Sequence, residues 1–224
     1  MGVDSRDVDR ELTASFWRDL RSLGFRRKGR TAWRRRSDSI DVVNVQSLGS
    51  YLGQSLGATS CSFMIRLGVF YPAIVQASGG LFGPQDPEHP PEYACHARRT
   101  PAKGIAQPLM QRVDARRSRW ARLFNRPPLI SDRDDCYFVA PDGSNLVDLV
   151  RDASQRTHED GLPWFDRMAD LRTAIAIFES QPDMFTTGGV AGDLYGGAIG
   201  SPQRSEFVEA LRVAIDRAVA TNQD

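Results

Sequence analysis

Apolar residues recur along this chain in two periods, and each change of period marks a new element. From Val8 to Leu23 the spacing is helical, with Leu12, Phe16, Leu20 and Leu23 forming one stripe. Gly24 is placed as the glycine that releases a helix end, and Phe25 follows it. Alternation then takes over. Thr31 to Arg36 predicts an exposed strand with Trp33 on the core side, Ser37-Asp38-Ser39 a turn, and Ile40 to Leu48 a second strand. The clearest strand runs from Cys61 to Phe70: Cys61, Phe63, Ile65, Leu67 and Val69 line one face, and Met64, Arg66, Gly68 and Phe70 the other. Pro72 restricts Tyr71 and ends it.

Loops and helices fill the rest. Residues 49–59 and 78–92 are rich in glycine or proline and read as loops, with a short strand expected over Tyr93 to Arg98. Gly104 to Phe124 is ambiguous, because Ile105, Leu109 and Val113 allow a helix that Pro108 interrupts. Leu146, Leu149, Val150 and Ala153 predict a helix capped by Ser144 or Asp142 and broken at Gly161. Pro163 opens the next, with Trp164, Met168, Leu171, Ile175 and Phe178 as its seam. A short helix is expected over Val190 to Ile199, and a last one carries Phe207, Leu211, Ala214, Ile215 and Ala218.

Consecutive strands joined by short segments favour an antiparallel meander covered by the first helix. The expected fold is therefore α+β: a mainly antiparallel sheet of three to five strands packed by helices, with a helical C-terminal part. Residues 1–180 form the α+β domain, and residues 181–224 a helical extension packed on it.

Composition adds an ordinary globular balance, 41% apolar and 25% charged. Net charge is only +1, but its distribution is uneven. Arg18 to Arg36 holds nine basic residues against Asp19, and Cys95 to Arg126 nine against Asp114. Each block carries +8, leaving −15 for the remainder. Such polarity can steer a charged partner. Three scattered cysteines, Cys61, Cys95 and Cys136, fit a reducing compartment, the cytoplasm, rather than a disulfide scaffold. The N-terminal stretch has no signal-peptide core, and no run reaches the roughly 18 apolar residues of a membrane helix.

The basic residues Arg26, Arg27, Lys28, Arg30, Arg34, Arg35 and Arg36 are the first functional candidates. Strand alternation puts Arg34 and Arg36 on one face and Arg35 with Trp33 on the other, so these charges do not all converge. Arg98, Arg99, Arg112, Arg116, Arg117, Arg119 and Arg122 pose the same choice, with Trp120 as an anchor. Arginine forks suit carboxylate and phosphate alike. Asn44, Gln46, Arg66 and Cys95 mark a possible polar pocket on adjoining strands, or a hydrogen-bonded core network. Cys95-His96 lacks the geometry of a nucleophilic pair, since neighbours in a strand point apart. Neither compact zinc spacing nor a calcium loop occurs, and the glycines of residues 188–197 match no phosphate loop. No metal or cofactor is expected.

Gly24-Phe25-Arg26-Arg27-Lys28-Gly29, Val42-Val43-Asn44-Val45-Gln46, Ile65-Arg66-Leu67-Gly68-Val69-Phe70 and Gly161-Leu162-Pro163-Trp164-Phe165 together resemble the bacterial DUF4304 family, from about residue 12 to about residue 180. Cys95-His96-Ala97-Arg98-Arg99 and Trp120 fall where that family shows related signals, and Arg66 stands where a small polar residue is more usual. The resemblance implies a cytosolic α+β domain and transfers no catalytic residue.

These observations lead to an expected role in protein recognition without catalysis, including toxin neutralisation of the immunity type. The expected partner is a protein with an acidic surface, docked on Arg26, Arg27, Lys28, Arg30, Trp33, Arg35, Arg36, Arg98, Arg99, Arg116, Arg119 and Trp120. One alternative is a nucleic-acid binder contacting phosphates through the same residues. Another is a small-molecule enzyme using the Asn44, Gln46, Arg66 and Cys95 pocket.

Overall fold

A computed structural model describes residues 2–49, 59–72, 86–105, 134–180 and 193–195, together with residues 209, 212, 213, 215 and 216. The chain opens with α1 (Ser5–Ala14) and α2 (Phe16–Ser22). Asp4 caps α1 by accepting from the Arg6 and Asp7 N–H groups, while the Asp7 carboxylate accepts from the Asp4 N–H. The single helix expected from Val8 to Leu23 is broken at Ser15, whose hydroxyl donates to the Glu11 carbonyl and bends the turn. Gly24, at φ 87°, closes α2: its N–H reaches the Arg21 carbonyl and the Phe25 N–H reaches that of Leu20.

The basic segment after Gly24 is itself a strand, β1 (Arg26–Lys28), which the sequence pattern did not predict. A two-residue turn at Gly29-Arg30 pairs it with β2 (Thr31–Arg35), and Gly29 takes φ 62° there. β3 (Ile40–Ser47) and β4 (Phe63–Phe70) follow, then a 3-10 turn (Glu92–Ala94) and β5 (Ala97–Arg99). All pairings are antiparallel in the order β1-β2-β3-β4-β5, and β6 (Asp193–Tyr195) extends the sheet beyond β5. Residues 193–195 thus form a strand where a short helix was expected.

The second half is α3 (Leu146–Arg156), a π turn (Thr157–Gly161), α4 (Leu162–Ala169) and α5 (Leu171–Ser180). Gly161 does not end the helix. It lies in the π turn against the sheet, where a Cβ would come within 2.9 Å of Leu67 Cδ1. Asn145, not Ser144 or Asp142, precedes α3, and its amide bonds the Ala140 N–H and the Phe138 carbonyl. Asp142 instead accepts from the Ser144 N–H. Residues 209, 212, 213, 215 and 216 are helical, within the last helix expected.

The helices pack on one face of the sheet. Leu12 of α1, Phe16, Trp17 and Leu20 of α2, Leu149 and Val150 of α3, and Trp164 and Phe165 of α4 meet Ala32, Val43, Val45, Ile65, Leu67 and Val69 in one core. The opposite face is covered in two patches. Ile40, Val42, Phe70 and Cys95 lie with Trp33 at one end, and Leu48, Met64, Cys136 and Phe138 at the other. No helix among the described residues is long and apolar enough to cross a membrane.

Candidate functional site

Register decides which side chains share the helix-free face. Lys28 pairs with Thr31, Thr31 with Asn44, and Asn44 with Arg66, so four strands place these four residues in one row. Arg26, Trp33, Val42, Gly68 and Arg98 form the next row on the same face. Gln46 lies beyond Asn44 and is exposed, opposite Met64. The polar row therefore crosses the sheet between the two apolar patches.

Five of the nine predicted basic residues that are described are matched by carboxylates of the same molecule. Arg36 Nε donates to Asp41 Oδ2 at 2.8 Å and Arg36 Nη2 to Asp166 Oδ1 at 2.6 Å. Arg34 shares Asp41, donating at 2.9 Å, and lies over the Phe25 ring. Asp41 is fully buried, and burial raises its pKa against the pull of Arg36 and Arg34. Arg35 pairs with Glu88 across the face, Arg30 Nε with Asp9 at 2.8 Å, and Arg98 Nε with Glu92 at 2.8 Å. Arg27 Nη1 donates to the Thr13 hydroxyl, and its guanidinium lies over Trp17. Arg99 is half-buried on the helix side, in register with Leu67.

Three cations differ. Arg26, Lys28 and Arg66 have no carboxylate within pairing distance among the described residues. Arg26 and Lys28 are exposed. Arg66 is half-buried, with Nη1 donating to the Thr100 hydroxyl at 2.6 Å and Nη2 3.5 Å from Met64 Sδ. Beside it, Asn44 Nδ2 donates to Thr31 Oγ1 at 2.8 Å and to the Arg30 carbonyl at 3.3 Å.

Of the four possible pocket residues, Asn44, Gln46 and Arg66 share the open face, but Cys95 is sealed away. The Glu92–Ala94 turn carries Cys95 onto β4, where a Cβ on Gly68 would lie 2.5 Å from Cys95 Sγ. Burial first, and then the Glu92 charge, push the Cys95 thiol well above its usual range. His96 points elsewhere: its Nδ1 accepts from the Tyr71 N–H at 3.0 Å, its ring stacks on Phe70, and burial brings its pKa down to about 3. The two form no nucleophile–base pair.

Trp33 is half-buried on this face, with its indole N–H donating to the Pro90 carbonyl at 2.8 Å and the His89 ring edge-on at 5.1 Å. Its contacts are internal. The exposed aromatic on this side is Tyr93, 66% accessible, on the turn that packs over β4 and β3. Thr31, Tyr93 and Thr100 were not singled out from sequence. Thr31 was legible as the register partner of Asn44, whereas Tyr93 and Thr100 carried no local signal. Arg116, Arg119 and Trp120 lie outside the described residues.

Among the described residues no three His, Cys, Asp or Glu side chains are grouped to hold a metal ion. No curated protein and no solved structure matches the chain. The profile of a domain of unknown function, DUF4304, matches residues 16–167, well over half of the sequence, and the chain belongs to that family.

Proposed function

We propose that this chain is a non-enzymatic protein-recognition domain that docks an acidic protein surface on the helix-free face of its sheet. One observation carries the reading: on that face Arg26, Lys28 and Arg66 have no carboxylate partner among the described residues, while Arg35 and Arg98 are paired within the chain. Such charges mainly set encounter rate and specificity. Affinity comes from buried contact, for which Tyr93 is the anchor on this side. Occluding a toxin-like enzyme is a form of recognition that needs no reactive group on this chain, and it is the form we propose. The cysteines form no disulfide, which supports a reducing compartment, the cytoplasm.

Phosphate binding could use the same cations, with Tyr93 as the exposed ring, since Trp33 is engaged by His89 and Pro90; the experiment below separates the two readings. A small-molecule reaction on this face would have to proceed without Cys95, which is buried.

The experiment is affinity capture from the producing cell, then calorimetry of the captured protein against Arg26→Glu/Lys28→Glu and Arg35→Glu. Arg26 and Lys28 are exposed and unpaired by carboxylates among the described residues, whereas Arg36 is held by Asp41 and Asp166. The first variant is expected to bind at least about tenfold more weakly, with Arg35→Glu near wild type. Unchanged binding by Arg26→Glu/Lys28→Glu, or retention of generic oligonucleotides in place of a protein, overturns the proposal.

A further inference from the structure

We infer that Arg66 is the centre of a subsite on the helix-free face that takes one side-chain carboxylate, from an aspartate or glutamate of the partner. This rests on the recognition reading above and says which group reads the partner.

A guanidinium has five N–H donors. Among the described residues Arg66 bonds one strong acceptor, the Thr100 hydroxyl, and one weak one, the Met64 thioether. It is half-buried in the middle of β4, where a positive charge without a counter-charge is costly. Arg34, Arg36 and Arg98, comparably buried, each have a carboxylate of this chain. Arg66 has none.

The surroundings favour an arriving anion. Thr31 Oγ1 accepts from Asn44 Nδ2 at 2.8 Å and so keeps its own proton to donate. Lys28 continues the row, about 14 Å from Arg66 at three strand spacings, within reach of two long side chains converging on one ligand. The row contains no acidic residue. Buried apolar patches lie on either side of Arg66, so a charge pair made there is less screened than one in open solvent. The planar fork favours a carboxylate held by two parallel bonds.

The test titrates the full chain at low salt with three probes and follows the Arg66 Nε–Hε resonance. The probes are C-terminally amidated hexaglutamate, a neutral Gly/Ser hexapeptide with a free C-terminus, and inorganic phosphate. Hexaglutamate is expected to shift that resonance saturably and at lower concentration than the other two. Arg66→Gln should weaken hexaglutamate at least about tenfold, and Arg66→Lys should recover only part of that, since it restores charge without the fork. Unchanged dispersion of the backbone amides shows that each variant is folded.

If hexaglutamate shifts the amides of Arg26 and Lys28 but leaves Arg66 unmoved, the subsite is overturned and the recognition face survives. Movement at none of the three overturns both. Phosphate acting at or below the peptide's concentration overturns the carboxylate assignment, and preference for the free C-terminus overturns its side-chain source.

Discussion

Gly68 sits in the middle of β4, where a side chain has no room. A Cβ there would lie 2.5 Å from Cys95 Sγ and 2.7 Å from Cys95 Cβ, so the Glu92–Ala94 turn would have to lift off the sheet. Gly68→Ala is expected to cost about 2 kcal/mol in urea denaturation. The double variant Gly68→Ala/Cys95→Gly should be more stable than the sum of the single effects, because both clashing atoms of Cys95 are gone. At this scale the sequence is a partial guide. Strand alternation was enough to separate Arg34 and Arg36 from Trp33 and Arg35. It could not show that Arg36 meets Asp166, 130 positions away, or that Arg35 meets Glu88, 53 positions away. The partners of long charged side chains are set by tertiary contact, and local pattern carries no trace of them.

Asp41 joins three elements. From β3 it holds Arg34 of β2 and Arg36 just beyond, and those arginines reach Asp166 on α4. Its removal strands two partly buried guanidinium groups, so Asp41→Ala is expected to cost about 3 kcal/mol. Asp166 is 66% exposed, and Asp166→Ala should cost under about 1 kcal/mol. Equal losses in matched denaturation curves would show that the buried Asp41 contributes no more than the exposed Asp166. β3 and β4 were legible because each is an eight-residue run rich in β-branched and aromatic side chains, although Val42-Val43 blurs simple alternation in β3. β1 was not, since three consecutive basic residues have no apolar pattern, and its existence follows from the Gly29 turn and the pairing with β2. The break at Ser15 and the continuation through Gly161 were missed for a related reason. A hydroxyl that bonds backward, or a π turn fitted against Leu67, depends on contacts that periodicity does not encode.

The one-sided packing of the helices leaves the two sheet faces with different duties: one carries the main core, and the other carries the polar row. That asymmetry follows from β3 and β4, whose inward sets are apolar apart from Asp41 and Ser47, while Asn44, Gln46 and Arg66 interrupt the outward sets. Acid response belongs to the whole molecule too. His96 is buried with a pKa of about 3, against 6.5 for an exposed histidine, so the unfolded chain takes up a proton that the fold excludes. Stability is therefore expected to fall as pH drops from about 6.5 toward 3, with His96 contributing up to about 1.4 kcal/mol per pH unit. His96→Asn, which keeps an acceptor near the Tyr71 N–H, should flatten denaturation free energy against pH in that window. An unchanged slope would mean that His96 titrates alike in both states.

The two-residue turn between β1 and β2 turns the backbone groups of Arg26 and Lys28 inward, leaving Arg27 alone to present an N–H and a C=O outward. A second copy arriving along that flank meets a single rung and three like charges. At this border strand-by-strand polymerisation has almost nothing to start from.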